Sequence, residues 1–371
     1  MKYIVGVQAL EPLQLLERTH VRWRARRLLY FSGCDYFRMA SHPAVLRAVR
    51  HGLSKFGLNV AASRLTTGHH KVYAQLESAL ADYFKATAAL LVSNGYVTST
   101  VVAQALAGQF THVLLDERAH AALVDAAGQF GAPVRRFDHR HAAALQAEAR
   151  RCGRNAKVIV LTDGMFSHDG SVAPLREYVK RLPASTWFLV DDAHGAGVLG
   201  EQGRGTVESE GVGRARVIQC ATLSKAFGVY GGAVLGSVAL RKAILERSRA
   251  FMGCTPLPLP LASGALVSIE LLKRSQRARE RLHSNAGRLK AQLRAAGFSV
   301  PDFPGPIVAL LPRSVVQADA IRRSLLCAGI YPPYLCYGGV AAGYFRFVVS
   351  SEHTQAHLQT LVRALRPFAP L

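Results

Sequence analysis

The chain has 371 residues, 50% of them hydrophobic, with 32 glycines, which excludes a disordered protein and allows a large core split into one large and one smaller domain. Its 46 Lys and Arg against 24 Asp and Glu give a formal charge of +22, favouring anionic partners such as phosphorylated cofactors, coenzyme A, nucleic acid or a membrane surface. The basic residues are scattered, with small clusters at 22–27 and 274–281 and no RNA-binding or helix-turn-helix motif beside them, so nucleic acid is not expected as a partner.

Cys34, Cys152, Cys220, Cys254, Cys327 and Cys336 lie far apart and form no C-x-x-C pair. They read as reduced intracellular thiols, with neither a disulfide framework nor a metal site expected. The first twelve residues carry a brief apolar run without an adequate h-region and cleavage site, so no signal peptide is expected. No stretch reaches about 18 apolar residues without a charge or turn former, so no transmembrane helix is expected either. A cytoplasmic protein is the expectation, with a peripheral membrane contact through the basic N-terminal segment left open.

In chain order, residues 11–30 read as a basic helix, followed by L-L-Y-F-S-G-C-D-Y-F as a strand and H-P-A-V-L-R-A-V as a helix start with Pro43 in its first turn. Residues 1–42 form an N-terminal arm in this reading, 43–280 a large domain and 281–371 a small C-terminal α+β domain. The loop N-V-A-A-S-R-L-T-T-G-H-H leads into a helix with Leu76, Leu80 and Phe84 on one face. His69 and His70 fall in that loop in a structural or solvent-facing role.

From Ala88 strands and helices alternate: A-A-L-L-V, a helix over 98–107, T-H-V-L-L-D, a helix over 120–130, P-V-R-R-F and K-V-I-V-L-T-D. Such repeats predict an α/β fold with a large, mostly parallel sheet and helices on both faces. The loop Ser93-Asn94-Gly95-Tyr96 precedes a helix, so its N–H groups and the helix dipole suit a phosphate. His120, just past the strand ending at Asp116, could stack on a flat ring or simply start a helix. Ser167 and His168 follow another strand, with Asp169-Gly170 as the turn out.

Two apolar runs, Trp187 to Val190 and Val217 to Cys220, empty into D-D-A-H-G-A-G and A-T-L-S-K-A-F-G. Residues just past the carboxyl ends of strands line the ligand crevice of an open α/β sheet, which brings Asp191 and His194 together with Thr222, Ser224 and Lys225. This is the set that pyridoxal phosphate chemistry requires: Lys225 for a Schiff base with the aldehyde, Asp191 for the pyridine nitrogen, and His194 with Ser167 for the ring hydroxyl. Beyond Gly236 a long helical region, broken at C-T-P-L-P-L-P, runs to Ala296. F-S-V-P-D-F, P-I-V-A-L-L-P, a helix over 318–328 and Y-F-R-F-V-V-S-S then make the small domain. Arg346 alternates with apolar neighbours in its strand, and a bidentate grip on a substrate carboxylate is its natural role.

These motifs resemble, in order, those of the α-oxoamine synthases, a family of fold-type-I pyridoxal phosphate enzymes. F-S-G-C-D-Y-F-R-M resembles F-x-S-N-D-Y-L-G-L, and S-R-L-T-T-G-H-H-K-V-Y-A-Q-L-E resembles S-R-x-x-x-G-x-x-x-x-H-x-x-L-E. G-M-F-S-H-D-G resembles G-V-F-S-M-D-G, V-D-D-A-H-G-A-G-V-L-G is nearly the family's wording, and T-L-S-K-A-F-G-V-Y-G-G resembles T-x-x-K-A-x-G-x-x-G-G. The resemblance implies Lys225 as the Schiff-base lysine, Asp191, His194, Ser167 and His120 around the ring, and Asn94, Gly95, Tyr96, Thr222 and Ser224 around the phosphate. It implies Thr255 as a phosphate ligand from a second subunit, hence a homodimer, and Arg346 on the amino-acid carboxylate.

The implied activity is decarboxylative condensation of Gly, Ala or Ser with an acyl-CoA or other acyl thioester to an α-amino ketone, with His194 or His168 polarising the forming oxyanion. Departures fall at Cys34, Phe37-Arg38, Ala61-Ala62, Tyr73 and His168, in substrate-facing loops. Another fold-type-I enzyme such as an aminotransferase, and a noncatalytic cofactor-binding or basic surface-binding protein, are the alternatives.

Overall fold

Residues 11–30 form a three-stranded antiparallel sheet, not the expected helix: β1 (Leu13–Glu17), β2 (His20–Trp23) and β3 (Arg26–Leu29), in that order. Trp23 pairs with Arg26, leaving a two-residue turn in which Arg24 takes φ 53°. Leu, Gln, Glu and Arg are good helix formers, and here pairing overrides that preference. Val21 is buried and Arg22 exposed, the two-residue alternation of a strand. The computed structural model describes residues 11–336 and 343–369; the apolar run considered for a signal peptide falls mainly on residues 1–10, outside the described residues.

The chain separates into two compact units, one made of the segment up to Arg38, Ser167–Ser171 and Arg277 onward, the other of Met39–Phe166 and Val172–Gln276. The larger unit contains α1 (Pro43–Phe56), α2 (Lys71–Phe84), β4 (Ala88–Val92), α3 (Val97–Ala105), β5 (His112–Asp116), α4 (Ala121–Ala127), β6 (Val134–Phe137) and α5 (Ala142–Arg151). It continues with β7 (Val158–Asp163), α6 (Leu175–Arg181), β8 (Trp187–Asp191), α7 (Thr206–Ser209), β9 (Val217–Thr222), β10 (Gly232–Gly236), α8 (Val238–Arg247), α9 (Arg249–Met252) and α10 (Leu259–Lys273).

Its seven-stranded sheet has the order β4-β10-β9-β8-β7-β5-β6. All pairs from β9 to β6 are parallel, and β10 runs antiparallel to both β9 and β4. Alternate side chains feed opposite layers, as strand geometry requires. Ile159, Leu161 and Leu189 pack with α3, α4 and α8, while Val160, Phe188 and Val190 pack with α5 and α6 on the other face. Burial on both faces explains why the strands read as nearly continuous apolar runs.

The smaller unit continues with α11 (Gln276–Ala295), β11 (Ile307–Leu310), α12 (Val315–Cys327), β12 (Tyr334–Leu335), β13 (Tyr344–Val348) and α13 (Gln355–Leu365). β13 lies between β11 and β12, antiparallel to both. F-S-V-P-D-F, grouped above with the small domain's segments, lies outside every strand. Among the described residues, no helix is long and apolar enough to cross a membrane.

The face of α2 carrying Leu76, Leu80 and Phe84 is fully buried, as its spacing predicts. The same helix carries Glu77, which is buried with Arg64 and accepts hydrogen bonds from Arg64 Nη1 at 2.6 Å and the Leu91 amide at 2.9 Å. Its second oxygen accepts from Arg241 Nη2 at 3.3 Å. Removing the carboxylate leaves a guanidinium buried without its counter-charge. Glu77→Ala is therefore expected to cost about 3–5 kcal/mol in urea unfolding, and Glu77→Gln clearly less because an acceptor remains.

Candidate active site

The carboxyl ends of β7, β8 and β9 gather the polar groups of the larger unit. Asp163 and Asp191 are partners in register on β7 and β8. The strand alternation that turns Leu161 and Leu189 toward the α3 and α4 layer turns both carboxyls to that face as well. His120 stands at the start of α4, where its Nδ1 accepts from the Ala122 amide at 3.2 Å and its own amide donates to Asp163 Oδ1 at 3.2 Å.

Asp191 is 7% exposed and, among the described residues, accepts one hydrogen bond, from the Ala193 amide at 3.1 Å. Burial raises its pKa, while the charges of Lys225 and His120 oppose the rise. Burial likewise drives the His120 ring toward its neutral form, with Asp191 pulling the other way and Lys225 adding to the shift. Lys225 is half-buried in the turn after β9, and its carbonyl accepts from the Gly228 amide at 2.9 Å. His194 is buried, three residues past β8. Asp191, His194, His120 and Lys225 thus occupy one unit, with the charges of Asp191, His120 and Lys225 acting on one another.

The expected phosphate loop meets the turn after β9. A Cβ on Gly95 would lie 2.7 Å from Thr222 Cβ and Oγ1, so this corner admits only glycine. Thr222 Oγ1 and Ser224 Oγ share a hydrogen bond of 2.7 Å, and Asn94 Oδ1 caps the next helix by accepting from the Val97 amide at 3.2 Å. The Tyr96 hydroxyl donates to Asp125 Oδ2, and its ring meets His120 edge-on at 6.0 Å. Thr255 is exposed in a single chain.

Ser167, His168 and Arg346 belong to the smaller unit, where Arg346 Nη1 donates to the Ser167 carbonyl at 3.3 Å and the His168 ring packs on Tyr344 at 4.3 Å. Of the two loop histidines, His70 caps α2 through Nδ1 and His69 lies 3.2 Å from Arg64 Nη2, structural roles as expected. Tyr73 is fully buried and donates to the Leu257 carbonyl at 2.6 Å, so this departure packs inside the larger unit.

Two acids escape the sequence reading. Asp163 is one. Asp192, next to Asp191, turns the other way and accepts from the Thr206 amide at 2.7 Å, Thr206 Oγ1 at 2.7 Å and Gln219 Nε2 at 2.6 Å. Both aspartates end strands in the sequence pattern, which is the signal that could have marked them.

A model of the aminotransferase class I and II family matches residues 31–365. The chain belongs to this family. Within it, an 8-amino-7-oxononanoate synthase of Thioalkalivibrio sulfidiphilus is 37% identical over 347 residues, 92% of this chain and 88% of that protein. One of Methylococcus capsulatus is 37% identical over 349 residues, 92% and 89% of the two chains. A solved serine palmitoyltransferase of S. paucimobilis with a bound PLP–myriocin aldimine superposes with a TM-score of 0.89 at 28% identity, covering 96% of this chain and 92% of that one. The architecture is the fold-type-I pyridoxal phosphate transferase fold, as the resemblance of its motifs implies, with the mostly parallel sheet that the strand and helix alternation predicts.

The residues fit such a cofactor. A buried carboxyl holding one hydrogen bond has capacity for a cationic donor such as a protonated ring nitrogen, and a glycine corner beside two hydroxyls and a helix start suits a phosphate.

Asp192 generates a test of how this corner is held. Burial pushes its carboxyl up to about 6 against the pull of its three donors. An amide in its place turns an N–H2 toward a donor, so Asp192→Asn is expected to lose about 1–3 kcal/mol in urea unfolding. The folded value lies above the unfolded one, so wild-type stability from this group is full below about pH 4 and declines as the pH rises through about 6. That slope is absent in the variant.

Proposed function

We propose that this chain is a pyridoxal-phosphate-dependent acyltransferase that condenses glycine, alanine or serine with an acyl-CoA or other acyl thioester, releasing CoA and CO2 and giving an α-amino ketone. The observation that carries the reading is the under-bonded, buried Asp191 in the electrostatic company of His120 and Lys225, in a chain 37% identical to 8-amino-7-oxononanoate synthases. When bound, pyridoxal phosphate supplies a protonated ring that withdraws electrons from the amino acid's α-carbon.

In this reading Lys225 Nζ would hold the cofactor's aldehyde carbon and would be the base that takes the α-proton. Asp191 would keep the proton on the ring nitrogen, His194 and Ser167 would hold the ring hydroxyl, and His120 would lie against the ring. Asn94, Gly95, Tyr96, Thr222 and Ser224 hold the phosphate, completed by Thr255 from a second copy in a homodimer. Arg346 pairs with the amino-acid carboxylate, and His168 or His194 polarises the acyl oxygen as it gains charge. Six unpaired cysteines support a reducing, cytoplasmic location.

The purified protein with pyridoxal phosphate is expected to show a visible absorption band, lost on borohydride reduction with the label recovered on Lys225. A colourless Lys225→Ala is the control, and absence of any band in the wild type refutes the reading. Free CoA thiol should appear only when amino acid and acyl-CoA are both present; transfer of the amino group to a keto acid without thiol release would indicate an aminotransferase instead. Arg346→Ala is expected to raise the KM for the amino acid at least about tenfold, through loss of a charge-assisted pair, with little change in the KM for the thioester.

A further inference from the structure

The proposed mechanism leaves one buried acid of the site unused. Asp163 is 5% exposed, pairs in register with Asp191 on the neighbouring strand and projects from the same face, with strand axes about 4.8 Å apart. Its Oδ1 takes the His120 amide, at the residue that begins α4. The charged and titratable groups acting on it are Asp191 from β8, His120 from the start of α4, Asp116 from β5 and Lys225 after β9.

Asp116 faces the opposite layer and has its own partner in His139, 2.9 Å away. Two carboxyls on one face therefore compete for one lysine, beside a histidine that burial keeps toward its neutral form. Two like charges this close and this buried do not both ionise. Lys225 and His120 pull Asp191 toward the carboxylate. Burial and the Asp191 charge push Asp163 well above the usual carboxylate range.

We propose that Asp163 is a positioning residue that acts through its neighbours: it remains the uncharged acid of the pair, anchors the His120 backbone with its carbonyl oxygen, and leaves the negative charge to Asp191. The proposal rests on the cofactor site described above and adds to it a residue that sets which acid of the pair carries the negative charge. An uncharged acid and an amide share shape and acceptor, so Asp163→Asn should be nearly silent where an ionised residue would not tolerate it. Asp163→Ala removes the acceptor and frees the His120 amide.

Three variants, Asp163→Asn, Asp163→Ala and Asp191→Asn, are compared with wild type. In pyridoxal phosphate titrations Asp163→Asn should stay within about twofold of the wild-type Kd, and Asp163→Ala should weaken about tenfold, the worth of one buried hydrogen bond. The pH midpoint of the cofactor's visible band should be unmoved in Asp163→Asn and displaced in Asp191→Asn. Without cofactor, a folded-state pKa above the unfolded one means that the wild type gains from this group below about pH 4 and loses that gain as pH rises. The stability of Asp163→Asn relative to wild type should therefore grow from pH 4 to pH 8.

An Asn variant that shifts the band midpoint as Asp191→Asn does, or that shows no growing stability advantage, overturns the proposal. If Asp163→Ala does not fold, the Asn comparison decides alone. If the wild type binds no pyridoxal phosphate, the cofactor reading fails while the cofactor-free unfolding series still judges Asp163.

Discussion

Strand alternation at the carboxyl end of β8 sends two consecutive aspartates to opposite faces of the sheet, and the larger unit's site is arranged around that divergence. Asp192 goes to the α7 side, where Thr206 and Gln219 supply three hydrogen bonds. Asp191 goes to the α4 side, where the Ala193 amide supplies one. A buried carboxylate is tolerated when hydrogen bonds replace water. Asp192 has that replacement within the larger unit, and among the described residues Asp191 accepts a single hydrogen bond.

The contrast extends to the other buried charges. Glu77 sits among Arg64, Arg241 and the Leu91 amide, so β4 is tied to α2 just before the Asn94–Gly95 turn. Gln219 donates to Asp192 and to the Arg204 carbonyl, and its oxygen accepts from Arg214 Nη2 at 2.6 Å. These networks pair each buried carboxylate and amide oxygen inside the larger unit. On the other face Asp163, Asp191, His120 and Lys225 act electrostatically on one another, the kind of coupling found at functional sites.

Much of this was legible in the sequence because it rests on period and local chemistry. The apolar runs of β5, β7, β8 and β9 declare buried parallel strands, the spacing of Leu76, Leu80 and Phe84 declares a buried helix face, and D-D-A-H and L-S-K-A mark where strands give way to polar turns. What was not legible depends on who neighbours whom. Asp163 matters because β7 lies beside β8 in the sheet, a fact of strand order that no stretch of sequence contains. The opposite fates of Asp191 and Asp192 depend on the face each takes. The N-terminal strands look helical in sequence because their residues favour helices and their tight turn is made by Arg24 at positive φ, without the Asn-Gly pair that signals such turns.

The antiparallel course of β10 bears on how Lys225 can move. Because β10 returns alongside β9, both ends of the segment carrying the lysine are fixed in one sheet, and the turn is stitched internally by Leu223 amide to Gly231 carbonyl at 2.9 Å and Val229 amide to Leu223 carbonyl at 2.8 Å. A parallel crossover would have hung the lysine on a long connection able to swing. Here the main chain is a fixed pivot, and the four methylenes of the side chain are the lever arm. Any travel between holding one group and releasing it is a change of rotamers, fast and cheap beside a loop rearrangement.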